Sequence, residues 1–339
     1  MYANFAHFFI PKLCGFLSFL INPLTVYIVR NDKKLQLGNY RFLLFYFAGF
    51  NLMCSLVDVL APVCVINHRY AFSVFITDGP FQSYSVFHQF ILAIRCGFIS
   101  GTYAVLHSHY FYRFLVLFND KFLNRYFLPY GMFFIIVYTL FHIGFWTVTC
   151  FFYIGADFTR RQYIRQTLLT EHRLDSMNIT LVIAQYNEGP PEPIQKTWIA
   201  IGSMTILSVF SLALIFVLGY KIIKKLRSQH LNMSEKTKAL QKQLMKALVV
   251  QAAIPTCVSF SPCHFAWYQP VFGYDQGRWL QLSAGIAVST FPCLDPIALV
   301  IFVPPFRRQF KKFLTFMIPK KHNQTTCSHP TYAQSQHDI

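Results

Sequence analysis

Seven long apolar runs constrain what this chain can fold into more than any other feature of its sequence. A helix needs about 20 residues to cross a bilayer, and each run is at least that long. Backbone polar groups find no partner in lipid, so a spanning segment of this kind must be a helix. The spans are placed at Phe8–Val29, Phe42–Ile66, Tyr84–Phe111, Tyr126–Ile154, Trp198–Tyr220, Leu244–Phe272 and Trp279–Val303. The sequence therefore predicts an all-α membrane protein, with a seven-transmembrane helix bundle over residues 1–303.

Composition supports a membrane protein and argues against nucleic acid as a partner. The 339 residues are 54% hydrophobic and 13% charged, whereas soluble domains carry about 25% charged residues. A net charge of +17 could suggest nucleic-acid binding. The charges lie in short loops between the apolar runs rather than on one folded face, so we expect no nucleic-acid partner.

The distribution of Lys and Arg predicts how the bundle crosses the membrane, because both residues favour cytoplasmic loops. The loops on the side of the carboxyl terminus hold 21 of them, and those on the other side hold eight. We therefore expect the amino terminus outside, the carboxyl terminus inside, and a multi-pass protein of the plasma membrane. The sequon at Asn178 falls in the long outer loop 155–197, so we expect a glycan there. The sequons at Asn232 and Asn323 fall inside and should stay unmodified.

The loop before the sixth span is basic and has a helical pattern. Lys238, Lys242 and Lys246 recur at i, i+4 and i+8, so they form one charged stripe on a helix that enters the membrane. Pro255 and Pro262 predict kinks further along this helix, as Pro292 and Pro296 do in the seventh. Such kinks would let the cytosolic ends swing, although prolines are also common in membrane helices.

The chain after the last span is predicted to leave the membrane as an amphipathic helix over residues 304–318. Phe306 and Phe310 share one face, and Arg307 and Arg308 lie on the other, which is typical of a helix on anionic membrane lipids. Residues 319–339 are polar and are expected to be disordered. The amino terminus before the first span is only about seven residues long, so a ligand must be small enough to bind between the helices or under the loop 155–197.

Ionisable groups inside the predicted spans are the first candidates for function, because they are costly in lipid. Asp58, Arg95 and Asp295 are the clearest, and a carboxylate paired with Arg95 across the bundle is plausible as either a structural or a functional contact. Arg113 lies at the cytosolic end of the third helix, where it could extend to the headgroups or change contacts between states. The candidate ligand-binding residues are Asp58, His88, Gln89, Arg95, His264 and Trp267.

Catalytic and cofactor motifs are absent from the sequence. No GxSxG, HExxH, P-loop or GxGxxG occurs, and the cysteines form no CxxC pair. His107 and His109 are two residues apart and point to different helix faces, so they make a poor metal pair. We expect no enzyme activity, no cofactor and no metal.

Several segments resemble nematode seven-transmembrane chemoreceptors of the Str class, also called serpentine receptor class R, the group that includes the diacetyl receptor. The resemblance runs from about residue 10 to 315 and is carried by LGNYRFLLFYFAGF (37–50), SLVDVLAP (55–62), HSHYFYRFL (107–115), LQKQLMKALVVQAAIPT (240–256) and CLDPIALVIFVPPFRRQF (293–310). It implies a G-protein-coupled receptor for environmental chemicals, in the cilia of sensory neurons.

The resemblance assigns roles to individual residues. Arg113 matches the cytosolic end of the third helix, and Asp295 with Pro296 matches the signature of the seventh. A heterotrimeric G protein would then meet the inner face of the receptor at Arg113, Lys238, Lys242, Lys246, Arg307 and Arg308. The chain departs from rhodopsin-like receptors, because no acidic residue precedes Arg113, no NPxxY occurs near Pro296, and the loop 155–197 lacks cysteine.

Two other function classes remain as alternatives. A ligand-gated chemoreceptor channel with seven helices would place the amino terminus inside, which the distribution of basic residues opposes. A transporter built from duplicated halves would show an internal repeat, and we find none. The preferred hypothesis is a chemosensory receptor that binds a small-molecule odorant and activates a G protein.

Overall fold

The structure is a computed structural model and describes residues 2–31, 37–227, 234–273 and 278–317. The helices are α1 (Tyr2–Asn31), α2 (Tyr40–Leu60), α3 (Val86–Phe118), α4 (Asp120–Tyr126), α5 (Met132–Tyr153), α6 (Phe158–His172), α7 (Pro191–Arg227), α8 (Glu235–Ile254), α9 (Ser261–Tyr268), α10 (Arg278–Phe302) and α11 (Pro304–Met317). The strands are β1 (Val63–His68), β2 (Ala71–Ile76) and β3 (Leu181–Gln185). A kink at Phe127–Gly131 joins α4 to α5, a short π-helical turn at Pro255–Phe260 joins α8 to α9, and a 3₁₀ turn follows at Gln269–Phe272.

Seven segments of the described chain are long and apolar enough to cross a membrane, which confirms the predicted seven-helix bundle. They are α1, α2, α3, α4 with α5, α7, α8 with α9, and α10. α1 packs against α2 and α10, while α3 packs against α5 and α7. We call the end of the bundle that carries the strands the sheet end, and the end that carries α11 the tail end.

The ends of the predicted spans required correction. The second span was predicted to reach Ile66, but α2 ends at Leu60. Ala61 precedes Pro62, and the proline ring disfavours helical backbone at the residue before it, so Ala61 leaves the helix with φ −132° and ψ 69°. The third span was predicted to end at Phe111, but α3 continues to Phe118.

A three-stranded antiparallel sheet lies at the sheet end, in the order β1-β2-β3. The prediction of an all-α protein did not include this sheet, although the described chain is mostly helical and carries the predicted seven spans. Along β2, Phe72 and Val74 pack into the core of the bundle, whereas Ala71 and Phe75 pack against α6. Because both faces of the sheet are buried, apolar side chains lie on both faces of the strands, which lack the alternation that marks a half-buried strand.

Two buried arginines fasten α6 to the segments around it. Arg160 donates hydrogen bonds of 2.6–3.0 Å to the carbonyl oxygens of Tyr153, Gly155 and Pro193. Arg161 donates hydrogen bonds of 2.5–3.0 Å to the carbonyl oxygens of Ala156, Ser176 and Ile179. Burial lowers the pKa of both guanidinium groups, yet arginine keeps its proton in proteins. The eight cysteines in the described part of the chain are free, so these bonds take the place of a disulfide in holding the segment 155–197.

Pro296 in α10 creates the contact that joins α1 to α10. A proline lacks the N–H that would bond to the carbonyl four residues earlier, which leaves the oxygen of Pro292 free. Asn22 Nδ2 donates to this oxygen at 3.1 Å, and Ser18 Oγ donates to it at 3.4 Å. Side chains of a neighbouring helix therefore satisfy the interrupted backbone, as a membrane helix requires.

Candidate functional site

A small cavity of about 60 Å³ lies between the sheet and the bundle. The strands cover it on one side, and α3, α5, α7, α9 and α10 form the other sides. The side chains around it are Val63, Val65, Phe72, Val74, Arg95, Cys96, Ile99, Trp146, Cys150, Ile154, Val182, Ile201, Met204, Cys263, Ala266, Trp267, Gly285 and Val288. Apolar side chains dominate this wall, as they do in sites for small molecules.

Arg95 brings a positive charge to this wall, and Asp58 compensates it. Arg95 Nε on α3 lies 2.6 Å from Asp58 Oδ1 on α2, and both side chains are at most 5% exposed. The predicted pairing of Arg95 with a carboxylate across the bundle is therefore confirmed. The partner is Asp58 rather than Asp295, which lies deeper on α10.

Trp267 on α9 lines this cavity and carries a buried hydrogen-bond donor. Its ring lies 5.8 Å from that of Trp146 and 4.6 Å from that of His264, measured between centroids. Its carbonyl oxygen accepts a hydrogen bond from the Tyr186 hydroxyl, which fixes the end of α9 against the chain after β3. The indole Nε1 is buried and has no hydrogen-bond partner among the described residues. A buried donor without a partner is costly, so an acceptor on a bound molecule would be favoured there.

The other candidate ligand-binding residues lie outside the wall of this cavity. His88 is at the start of α3, where its Nδ1 lies 2.7 Å from the carbonyl oxygen of Ser83. Gln89 is buried beside it. His264 Nδ1 lies 2.6 Å from the carbonyl oxygen of Phe260 in the preceding helical turn. Of the six candidates, Arg95 and Trp267 line the cavity. Asp58 does not line it, but it forms the salt bridge that compensates the charge of Arg95.

Sequence analysis missed most of the cavity wall. Trp146 and Cys150 lie one turn apart on α5, so they could have been identified as one face of a helix. The residues from the strands could not, because they belong to runs that are apolar on both faces. Val63 and Val65 also fall inside the span that was predicted to be helical.

A polar cluster surrounds Asp295 in the middle of the bundle. Asp295 is 1% exposed, and its Oδ2 accepts hydrogen bonds of 3.3 Å from Asn51 and from Gln251. Asn51 Nδ2 also lies 3.3 Å from Asn22 Oδ1. The described residues form no salt bridge with Asp295, and its Oδ1 accepts no hydrogen bond. The cluster links α1, α2, α8 and α10 at one point.

Arg113 joins α3 to α8 at the tail end. Its Nη1 donates a 2.6 Å hydrogen bond to Gln241 Oε1, and its Cζ lies 3.7 Å from the centroid of the Tyr40 ring. The hydroxyl of Tyr40 in turn lies 2.9 Å from His109 Nδ1. Arg113 is 2% exposed, so it does not extend to the headgroups as one interpretation of the sequence allowed.

The other basic candidates lie at the surface of the tail end. Lys242 and Lys246 are exposed on α8, and Lys238 is half-buried one turn earlier. Arg307 and Arg308 are exposed on α11, whose Phe306 is fully buried against the bundle. We call these five residues, on α8 and α11, the basic face of the tail end. The tail predicted to be disordered, residues 319–339, lies outside the described residues, as do Asn232 and Asn323.

Comparison with known proteins identifies the family. Residues 1–310 match the sequence model of the family described as serpentine type 7TM GPCR chemoreceptor Srj. The chain belongs to the Srj family of serpentine chemoreceptors. It is 34% identical to serpentine receptor class J-38 of Caenorhabditis elegans over 92% of this chain and 94% of that protein.

More distant relatives belong to neighbouring serpentine families. Serpentine receptor class r-10 of Caenorhabditis briggsae is 24% identical over 92% of this chain and 91% of its own length. G-protein coupled receptor str-33 of C. elegans is 25% identical over 84% of this chain and 83% of its own. The expected relationship to nematode seven-transmembrane chemoreceptors is confirmed, but the assignment to the Str class is not, because the family that matches is Srj.

Proposed function

We propose that this Srj receptor binds a small, largely apolar odorant in the cavity under the sheet and activates a heterotrimeric G protein at the tail end. One observation carries the proposal. An apolar cavity lies directly beneath the sheet, where three strands and five helices meet, and Trp267, whose buried indole N–H has no partner among the described residues, lines it. Such a site suits a compact neutral molecule with one hydrogen-bond acceptor.

The size of the cavity limits the ligand. About 60 Å³ is far below the roughly 300–1,000 Å³ of a site for drug-sized molecules, so the ligand has few non-hydrogen atoms. A charged ligand is disfavoured, because Asp58 already neutralises the charge of Arg95. We therefore infer a volatile or weakly soluble neutral compound, which would contact Trp267 and Trp146.

Binding would act by stabilising one of two arrangements of the bundle. A ligand shifts such an equilibrium only by its difference in affinity for the two states. The cavity is lined by α9, which continues through the π-helical turn at Pro255–Phe260 into α8. A displacement of Trp267 would be carried along this kinked segment to Gln241, and the hydrogen bond from Arg113 would break as α8 moves.

The orientation and the location belong to the same proposal. The excess of basic residues at the tail end favours that end in the cytosol and the sheet outside. This places the basic face formed by Lys238, Lys242, Lys246, Arg307 and Arg308 next to the G protein. The cell membrane of a chemosensory neuron, and its cilium in particular, is the location that suits a receptor for environmental molecules.

A response assay tests the proposal. Cells that express the chain are exposed to a panel of small neutral volatiles while intracellular calcium or cAMP is recorded. We expect a responsive compound to lose potency with Trp267→Phe, which keeps an aromatic ring and removes the donor, while Trp198→Phe on the exposed face of α7 leaves potency unchanged. A response that persists when G proteins are inhibited would instead support the ligand-gated channel.

A further inference from the structure

A second, larger groove opens on the outer surface of the bundle near the tail end. It has a volume of about 630 Å³ and lies between α3, the segment from α4 to α5, and α7. Its walls include Phe111 on α3, Tyr126 on α4, Phe134 on α5 and Leu214 on α7. The groove shares no residue with the cavity under the sheet.

The sequence around Pro129 explains why this groove exists. A proline disfavours helical backbone at the residue before it, and Leu128 is accordingly extended, with φ −114° and ψ 126°. The helix is therefore interrupted between α4 and α5, and the chain bends at Phe127–Gly131. The short helix α4 then lies apart from α5, and the groove opens between them and α3.

The contents of this groove must be apolar. Eight of its sixteen lining residues are Phe or Tyr, and several of these face out of the bundle, including Tyr130 at 70% exposed and Phe134 at 65%. Within the groove, His107 is engaged through both ring nitrogens, with Tyr138 and with the carbonyl oxygen of Ser211. This surface belongs to the membrane-spanning part of the chain, so its surroundings are the hydrocarbon chains of lipids.

Basic side chains lie at the end of the groove nearest the tail. Lys121 and Arg125 are exposed and four residues apart on α4, so they share one face of that helix. The Cζ of Arg125 lies 5.4 Å from the centroid of the Tyr126 ring, which is part of the groove wall. Asp120 is the acidic residue of this short helix, and two cations outnumber it. Positive charge therefore lies next to an apolar groove, where a headgroup would lie.

We propose that this groove is a binding site for an anionic phospholipid of the inner leaflet. One acyl chain fills the groove against Phe111, Phe134 and Leu214, and the headgroup pairs with Lys121 and Arg125. The inner leaflet follows from the orientation proposed above, and it is the leaflet that carries anionic lipid. The bound lipid stabilises the packing of α3 with α4 and α5, next to the contact between Arg113 and Gln241.

Photocrosslinking of lipid to the full-length receptor tests this site. The receptor is reconstituted in nanodiscs with phosphatidylserine or phosphatidylcholine that carries a photoreactive group in one acyl chain, and crosslinked peptides are mapped by mass spectrometry. We expect phosphatidylserine to label peptides within 107–138 more than phosphatidylcholine does. Lys121→Gln with Arg125→Gln should reduce that preference by about fivefold per removed charge. Lys311→Gln with Lys312→Gln, which removes equal charge from α11, should leave labelling of these peptides unchanged.

A second pair of variants tests the groove itself. Leu214→Trp narrows the groove and should reduce labelling by both lipids, whereas Ile206→Trp, on a lipid-facing position of the same helix, should not. Equal labelling by the two lipids in the unmodified receptor, or full labelling of Leu214→Trp, would overturn the proposal. Displacement of the photolipid by an active odorant would also overturn it, because the groove would then be a ligand site. Both lipids are present on both sides of a nanodisc, so the result does not depend on the orientation or on the proposed ligand cavity.

Discussion

Replacing Asp58 by Asn should destabilise the receptor strongly, although the two side chains have nearly the same size. Arg95 and Asp58 are both almost fully buried and lie 2.6 Å apart. Removing one partner of such a pair leaves an uncompensated charge in the bundle, which costs about 3–5 kcal/mol. At roughly 2 °C per kcal/mol for a large domain, the melting temperature should fall by about 6–10 °C. Thermal unfolding of the purified receptor, followed with a dye that reacts with buried thiols as they become exposed, measures this change.

Two further variants test whether the fall in melting temperature comes from leaving one buried charge unpaired or from losing any charged pair. Asp78→Asn breaks the exposed pair between Lys12 and Asp78, which are 3.3 Å apart and 40% and 51% exposed. Such surface pairs contribute about 0–1 kcal/mol, so the melting temperature should fall by no more than about 2 °C.

The double variant Asp58→Leu with Arg95→Met removes both buried charges together. It should melt within a few degrees of the unmodified receptor, because apolar residues of similar volume can replace a buried pair at little cost. If Asp58→Asn melts no lower than Asp78→Asn, the charge of Arg95 is not compensated by Asp58, and the assignment of this pair is wrong.

Three further predictions concern the tail end and the orientation of the bundle. Gln241→Ala removes the acceptor of Arg113 on α8, and a hydrogen bond to a charged donor contributes about 1.5–3 kcal/mol, so ligand-independent G-protein signalling should rise roughly 10-fold or more above that of the unmodified receptor; basal signalling equal to that of the unmodified receptor would contradict a restraining role. Replacing the whole basic stripe of α8 by Gln, at Lys238, Lys242 and Lys246, should reduce G-protein activation while surface expression and ligand affinity stay near normal; retention in the endoplasmic reticulum would show that the lysines serve topology instead. Asn178 is exposed in the turn before β3, so Asn178→Gln should abolish the mobility shift produced by glycosidase, and a shift lost only with Asn232→Gln would invert the proposed orientation.

The sequence predicted the elements of this fold whose physical signals are local. Seven apolar runs of spanning length, and the interruption of the sixth helix at Pro255, could be recognised from residues close together in the chain. The pairing of Arg95 with a carboxylate could also be anticipated, since an unpaired charge inside the bundle is too costly. The sequence did not identify which carboxylate pairs with it, because Asp58 and Asp295 were equally plausible partners.

The sheet and the cavity beneath it depend on contacts that the sequence does not reveal. β1 and β3 are more than 100 residues apart, and each is apolar on both faces, so neither shows the alternation of a strand. The hydrogen bond of Arg113 could not be predicted either, because its acceptor Gln241 is 128 residues further along the chain. Without that partner, an arginine near the end of a spanning helix is equally consistent with extension to the headgroups.

Direct binding of an active odorant to purified receptor tests the central claim, that the cavity under the sheet is the ligand site. Ile99 lines this cavity on α3, and Ile99→Trp would fill it, whereas Ile206→Trp places the same side chain on the lipid-facing surface of α7. We expect the odorant to bind the unmodified receptor and the Ile206→Trp variant with equal affinity and to lose binding to Ile99→Trp, with all three proteins reaching the cell surface. Unchanged affinity in a folded Ile99→Trp receptor would show that the odorant binds elsewhere.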